Sequence, residues 1–307
     1  MLFSSCVVLG TETKQQQPQQ QQPQFQLAGR GGVVNGGGGF RGTTGRIFNQ
    51  NIKDEAYVTM ITGDDFAVGA EVVFHCLREH WRVRRPLVIL VTAAVSAGKR
   101  QSLKAVADEI IEVEPVAMPL PEGEDAEPGS EVEYLGYTSV RVWGLTQYKR
   151  VVYIDADTVI MESIDELFDR KVDFAAAPDV YPPDKFNPGV MVLKPCLAVM
   201  EDMLSKVSKL SSYDGRDTGF LNAYFSDWYT GPAEARLPFT YNALRTVFGA
   251  THEKTPGYWK AIGPVKIIHF CGFIKPWEEA KSKGGKLEMI WWQRYAQMKM
   301  NAETPTE

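Results

Sequence analysis

The 307-residue sequence has few cysteines, no basic block and no long apolar run, and each scarcity closes off a class of protein. Its four cysteines (Cys6, Cys76, Cys196, Cys271) lie far apart and form no CxxC pair. That argues against a disulfide framework or a zinc ribbon and for a reducing compartment, the cytoplasm being the expectation. No stretch approaches the ~20 consecutive apolar residues of a membrane helix, so no membrane association is expected. The 33 Lys and Arg never cluster and face 38 Asp and Glu, a net charge of −5, so nucleic acid is not an expected partner. The opening MLFSSCVVLG is mildly apolar but lacks the basic start and longer apolar core of a signal peptide. It leaves organelle targeting open.

What is present is unevenly spread. Residues 15–26 contain nine Gln, and residues 29–45 contain nine of the 27 Gly. Such segments bury too little apolar surface to offset chain entropy, so residues 1–51 are expected to form a disordered tail. Residues 52–307 then form one domain, long enough to bury a large core.

From Ala56 the pattern is that of a folded α/β protein. AYVTMIT is a β-rich run, followed by a Gly-Asp-Asp break and an amphipathic stretch over 66–81. PLVILVT is almost wholly apolar, as expected of a strand buried on both faces of a parallel sheet. A polar helical stretch (96–107) and a third strand, EIIEVEPV, complete a βαβαβ nucleotide-binding half. The acidic segment 115–133 reads as a surface loop. Beyond it the pattern predicts a helix over 138–147, the strand VVYI, and further strands in VDFAAAPD, GVMVLK and VKIIHF. Helices over 197–210 and 218–225 separate these strands.

VVYI runs directly into Asp155-Ala156-Asp157. Two carboxylates one residue apart, at the carboxyl end of a hydrophobic strand, share a side of the backbone at the end of the sheet where ligands bind. They repel unless a cation neutralises them, and Mg²⁺ or Mn²⁺ would do so while bridging phosphate groups. A turn capped by Asp157 explains the same residues without a ligand. VVYIDADTV also fits a DxDxT-type phosphatase, but such an enzyme needs an acidic pair downstream of the motif. Here Asp64-Asp65 lies upstream. His75, Glu79 and His80 fall at helical spacing and read as a helix packed on the sheet. Trp291, Trp292, Tyr295 and Met298 read as a C-terminal packing helix.

Six ordered blocks make the motif specific: AYVTMITGDDFAVGA, RVWGLTQYKRVVYIDADTVIMESIDELF, FNPGVMVLKP, DGRDTGFLN, LPFTYN and IIHFCGFIKPW. Over about 240 residues the chain resembles glycosyltransferase family 8, the glycogenin-like and galactinol synthase-like retaining transferases that use UDP-sugars. The resemblance implies a single-domain GT-A-type α/β fold, in which a Rossmann-like nucleotide-binding half carries a mixed central sheet. It implies a metal-dependent transfer of glucose or galactose from UDP to a hydroxyl acceptor, a carbohydrate, polyol or protein. Asp155, Asp157 and His269 resemble the Mn²⁺ or Mg²⁺ ligands. Gly272 resembles the glycine that lets backbone approach the diphosphate, and Lys275 the cation on it. Met60, Thr62 and Phe66 resemble the uridine cradle, with Phe66 stacking on the base. Asp179, Asn187 and Gly189 resemble the donor-sugar contacts. Asp217 resembles the charge-stabilising or nucleophilic carboxylate near the reacting carbon, with Asp214 its partner. A homodimer is left open, and a catalytically inactive nucleotide-sugar-binding scaffold is the alternative reading.

Four departures from the family pattern stand out. Thr218 replaces a usual Gln, Pro188 replaces a Ser or Ala, and Ser139 stands where many members carry a lysine. Arg141, two residues on, is expected to supply that missing charge. The segment after LPFTYN, where glycogenins carry the tyrosine they glucosylate, places Phe248 and Gly249 at the matching position, with Tyr258 the nearest tyrosine. Self-glucosylation is therefore not expected.

Overall fold

A computed structural model describes residues 52–118, 135–180, 184–272, 274–278 and 285–303. The Gln/Gly-rich segment before residue 52 and most of the acidic segment 115–133 lie outside them. Strands β1 (Glu55–Ile61), β2 (Leu87–Val91), β3 (Glu109–Glu112) and β4 (Arg150–Ile154) are mutually parallel. The chain then leaves this sheet through β5 (Thr158–Ile160) and returns as β6 (Phe174–Pro178) and β7 (Phe186–Leu193). The resulting order is β3-β2-β1-β4-β7-β6, with β7 antiparallel to both β4 and β6. The mixed α/β architecture and the βαβαβ opening are as the sequence pattern indicates.

All five residues of β2 are buried because the sheet has a core on each face. One core contains Tyr57, Ile61, Phe74, Ile89 and Trp291, and the other contains Val58, Leu90, Trp143, Tyr153 and Phe220. Successive residues of β1 alternate between them, as pleating requires. Each large apolar side chain buried this way contributes roughly 1.5–3 kcal/mol.

The helices differ in detail from expectation. The stretch 66–81 is α1 (Ala67–His75) extended by one wider turn, in which the Trp81 N–H reaches the Cys76 carbonyl at 3.0 Å. After α2 (Ala97–Leu103), capped by Ser96, β3 stops at Glu112 because its partner β2 ends at Val91. The helix expected over 138–147 is a run of tight 3₁₀ turns over Gly136–Gly144. Thr138, Val140 and Val142 are β-branched and disfavour a regular α-helix there. Helices α3 (Leu197–Lys206), α4 (Asp217–Tyr224), α5 (Arg245–Thr251), α6 (Pro256–Ala261) and α7 (Lys286–Glu303) follow. Helix α7 is the expected packing helix, with Trp291 fully buried and stacked on Tyr295 at 5.5 Å.

A second sheet, β5-β9-β8, has no counterpart in the sequence reading apart from VKIIHF. It joins β5, β8 (Ala243–Leu244) and β9 (Ile267–His269), with β9 antiparallel to β5 and parallel to β8. Helix α1 packs tightly onto the link between the sheets. A Cβ on Gly69 would overlap the Ala156 carbonyl oxygen and Trp277, so the residue must be glycine.

Candidate active site

The two sheets meet at Asp155-Ala156-Asp157. The Asp155 N–H donates to the Gly189 carbonyl at 2.9 Å, extending the ladder of the large sheet. The Asp157 carbonyl accepts from the Phe270 N–H at 2.9 Å, opening the ladder of the small one. The chain thus changes sheets within one residue, and both carboxylates turn toward His269, the last residue of β9. His269 Nε2 lies 3.2 Å from Asp157 Oδ1 and 3.8 Å from Asp155 Oδ2. Lys275 Nζ sits 2.5 Å from Asp157 Oδ2, and the Tyr153 hydroxyl donates to Asp155 Oδ1 at 2.8 Å.

Burial sharpens the charges in this group. Asp157 and His269 are buried, whereas Asp155 keeps 34% of its side chain in contact with solvent. Burial disfavours ionised Asp157, yet His269 and Lys275 outweigh it and hold the carboxyl below the usual range. Burial likewise opposes charge on His269, and Asp157 and then Asp155 raise it above the ordinary imidazole value. Enclosure, followed by the charge on Asp157, pushes Asp155 up to about 6. Asp217, at the start of α4, is pushed up to about 7 by burial, Asp155 and Asp214 in that order.

The group suits a hard divalent ion. One atom each from Asp155, Asp157 and His269 lies within 4.8 Å of the others, the only such metal-capable cluster among the described residues. Neighbouring ligands on an octahedral ion with ~2.1 Å bonds stand about 3.0 Å apart; the His269 nitrogen is 3.2 and 3.8 Å from the two carboxylates, so closing on an ion asks for a shift of under about 1 Å at these contacts. Two carboxylates and one imidazole match Mn²⁺ or Mg²⁺, with the nitrogen leaning toward Mn²⁺.

Other predicted residues are placed as follows. Asn187 and Gly189 lie in the first half of β7 and Asp179 just past β6, with Asn187 Nδ2 donating to Asp179 Oδ2 at 3.4 Å. Gly189 touches the metal side: a Cβ there would overlap the His269 ring. Pro188 is accommodated where the β6–β7 register slips, the position in a sheet that tolerates proline. Thr62 follows β1, its carbonyl accepting from Thr92 Oγ1 at 2.8 Å, and Met60 is half-buried against the second core. Phe66 meets Trp277 edge-on at 5.7 Å, and Lys275 Nζ lies 5.4 Å above its ring. Gly272 has φ +100°, a conformation that side chains rarely adopt. Lys275 is engaged with Asp157 rather than extended.

Two expectations are corrected. Arg141 does not join the group: its Nε donates to the Glu114 carbonyl at 3.0 Å. Within a 3₁₀ turn, residues two apart point in different directions, so Arg141 cannot inherit the place of Ser139. Ser139 itself faces the site, with Oγ 3.4 Å from Asp217 Oδ2. Asp214 spends Oδ1 on its own loop, accepting from Ser212 Oγ, Arg216 N–H and Gly219 N–H at 2.8–3.0 Å. It shapes the turn that presents Asp217.

Sequence reasoning passed over Tyr153, Asn242 and Arg245. Tyr153 read only as part of the strand VVYI. Asn242 Oδ1 lies 2.9 Å from His269 Nδ1. Arg245 Nη2 donates to the carbonyls of Cys271 and Ile274 at 3.0 and 2.9 Å, bracing the loop that bears Gly272 and Lys275. The one signal for Asn242 and Arg245 was position, within or beside the LPFTYN block, and for Tyr153 its place two residues before Asp155.

Comparison with known proteins shows which family the chain belongs to. The family described as "Glycosyl transferase family 8" matches residues 57–281. The chain belongs to glycosyltransferase family 8. Human glycogenin-1 is 37% identical over 257 residues, spanning 78% of this chain and 71% of that protein. Arabidopsis thaliana inositol phosphorylceramide glucuronosyltransferase 1 is 31% identical over 251 residues, spanning 75% and 44%. Among solved structures, the galactosyltransferase LgtC, in complex with donor and acceptor sugar analogues, superposes with a TM-score of 0.58 at 17% identity. The match covers 82% of this chain and 98% of LgtC. The family 8 member described here is thus a glycogenin-like retaining glycosyltransferase with a GT-A-type fold.

Proposed function

We propose that this transferase moves a glucosyl or galactosyl group from a UDP-sugar to a hydroxyl on a separate acceptor, with a divalent metal held by Asp155, Asp157 and His269. The observation that carries the reading is the convergence of two carboxylate oxygens and one imidazole nitrogen where the two sheets meet. When bound, Mn²⁺ or Mg²⁺ supplies a Lewis acid that neutralises charge building on the departing diphosphate. Lys275, released from Asp157, adds a second positive charge, and Gly272 gives the phosphates close access to backbone.

The uridine then lies over the end of β1, against Met60, Thr62 and Phe66. Asp179 and Asn187 hold sugar hydroxyls. The enclosed Asp217 carboxylate is poorly stabilised in the resting site, so positive charge developing at the adjacent sugar carbon is what best compensates it. Asp214 serves by holding the loop. In this reading self-glucosylation is absent, because Phe248 and Gly249 on α5 carry no hydroxyl for it. The inactive-scaffold and phosphatase readings are not favoured by a family match over 57–281.

The test is UDP release from UDP-glucose and UDP-galactose with and without Mn²⁺. Metal-dependent release is expected with at least one donor, and Asp157→Asn should lower it by ~100-fold or more, beyond the loss of an outer-shell partner. Unchanged activity in that variant would sink the metal assignment. A ladder of hexose additions in the intact mass would overturn the separate-acceptor reading.

A further inference from the structure

We propose that Asn242 is a positioning residue that fixes His269 in the tautomer carrying its proton on Nδ1, so that Nε2 is the ligand atom facing Asp155 and Asp157. This rests on the metal reading above for its functional meaning, but the tautomer itself follows from a chain of hydrogen bonds whose direction is set by the backbone.

The chain starts at Gly189. Its N–H, which can only donate, points at Asn187 Oδ1 at 3.0 Å, and that atom is therefore an oxygen acceptor. Asn187 Nδ2 accordingly faces the Asp179 carboxylate at 3.4 Å. The same Asn187 Oδ1 lies 2.8 Å from the Asn242 amide, which must present its NH₂ there. Asn242 then turns its own Oδ1 toward His269 Nδ1 at 2.9 Å. An amide oxygen donates nothing, so this bond requires a proton on Nδ1; Nε2 faces the Asp157 carboxylate at 3.2 Å and is the nitrogen that must give up any proton of its own to bind a metal. Asn242 is wholly buried and His269 is 4% exposed, so water does not compete for either group.

Gly189 acts twice. Its N–H sets the polarity of the chain, and its missing side chain leaves room for the imidazole ring. Asn242 gains its place from β8, which begins at the next residue and pairs Leu244 with His269. Partners of this kind orient a metal-binding imidazole and raise its basicity. Here the partner also joins the metal-facing histidine to Asn187 and Asp179, so both sides of the site share one polar chain.

Two measurements on the full chain test the proposal. In ¹⁵N spectra of the histidine rings, recorded with the imidazoles neutral and without metal, His269→Gln identifies the signal among four histidines. An Nδ1–H tautomer is expected in the wild type and a shift toward Nε2–H in Asn242→Ala. An Nε2–H tautomer in the wild type overturns the proposal, as does an unchanged signal in the variant. Mn²⁺ titration without any donor gives the second readout. Asn242→Ala should bind about 10- to 100-fold more weakly, while Asn242→Asp, which keeps an acceptor for Nδ1, should stay within about threefold of wild type. Equal losses in both variants, or none in Asn242→Ala, overturn it. Failure of the wild type to bind Mn²⁺ would instead sink the metal reading, and the ring spectra would then decide the tautomer alone.

Discussion

The six-stranded sheet is built from strands of four to eight residues, whereas strands of the three-stranded sheet run only two or three. The large sheet is held by long parallel ladders and by apolar side chains on both faces. The small sheet has little ladder to offer: its Val159, Ile160 and Ile267 are buried in the first core, and only its end at Asp157 and His269 is polar, where Asn242 and Lys275 bond to the same cluster. Apolar burial tolerates small displacements at modest cost, but ligand atoms for an ion do not. The difference teaches a partial separation: the large sheet supplies most of the apolar core, while the short strands add His269 to a site whose Asp155, Asn187 and Gly189 come from the large sheet, the two being joined by the single residue Ala156.

That separation is open to attack from the large sheet first. Ile89→Ala, in the fully buried β2, should cost about 2–5 kcal/mol in denaturant unfolding while activity per folded molecule persists. A loss of activity without a loss of stability would show that the two sheets are not separable. Gly189→Ala should cost about 1–3 kcal/mol by overpacking the His269 ring, and it should weaken Mn²⁺ binding out of proportion to its effect on unfolding. Wild-type Mn²⁺ affinity in that variant would mean that the ring does not need this space.

The smallest effect concerns Asp217. Its folded carboxyl is raised to about 7 from the ordinary 3.8, so the native state binds this proton more tightly than the unfolded chain. The associated stability is present below about pH 4 and is lost as pH rises through about 7. Asp217→Asn removes that loss. It should raise the melting temperature at pH 8, by about 2–4 °C for each kcal/mol recovered in a chain of this size, with the gain fading toward pH 4. Transfer activity should fall in the same variant. A lower melting temperature at pH 8 would show that the carboxylate is better solvated than its enclosure implies.

Much of the large sheet was legible beforehand, because PLVILVT and VVYI carry the continuous apolar runs of strands with a core on each side. Asp155 and Asp157 were legible as a carboxylate pair because they follow one such run, whereas His269, at the end of another, was added by the resemblance to the family. The acidic loop of Asp214 had a partial signal in its Asp-Gly dipeptide, a turn former whose side chain serves the local backbone. Arg141 was misplaced because residues two apart point in different directions whether a segment winds as α or 3₁₀, so sequence proximity to Ser139 did not carry its charge to the same place. β5 and β8 were invisible, as two or three residues contain no period to detect.

By itself the sequence determined which segments are buried, where the carboxylates fall along the chain, and which family the ordered blocks belong to. These are matters of local composition and order, and they need no partner strand. Only the tertiary structure decided that Asp157 and His269 pair across a second sheet, that Lys275 neutralises Asp157, and that Asn242 meets the far side of the imidazole. Those contacts join residues 27 to 118 positions apart, and their directions are set by backbone hydrogen bonds that exist only once both sheets have formed.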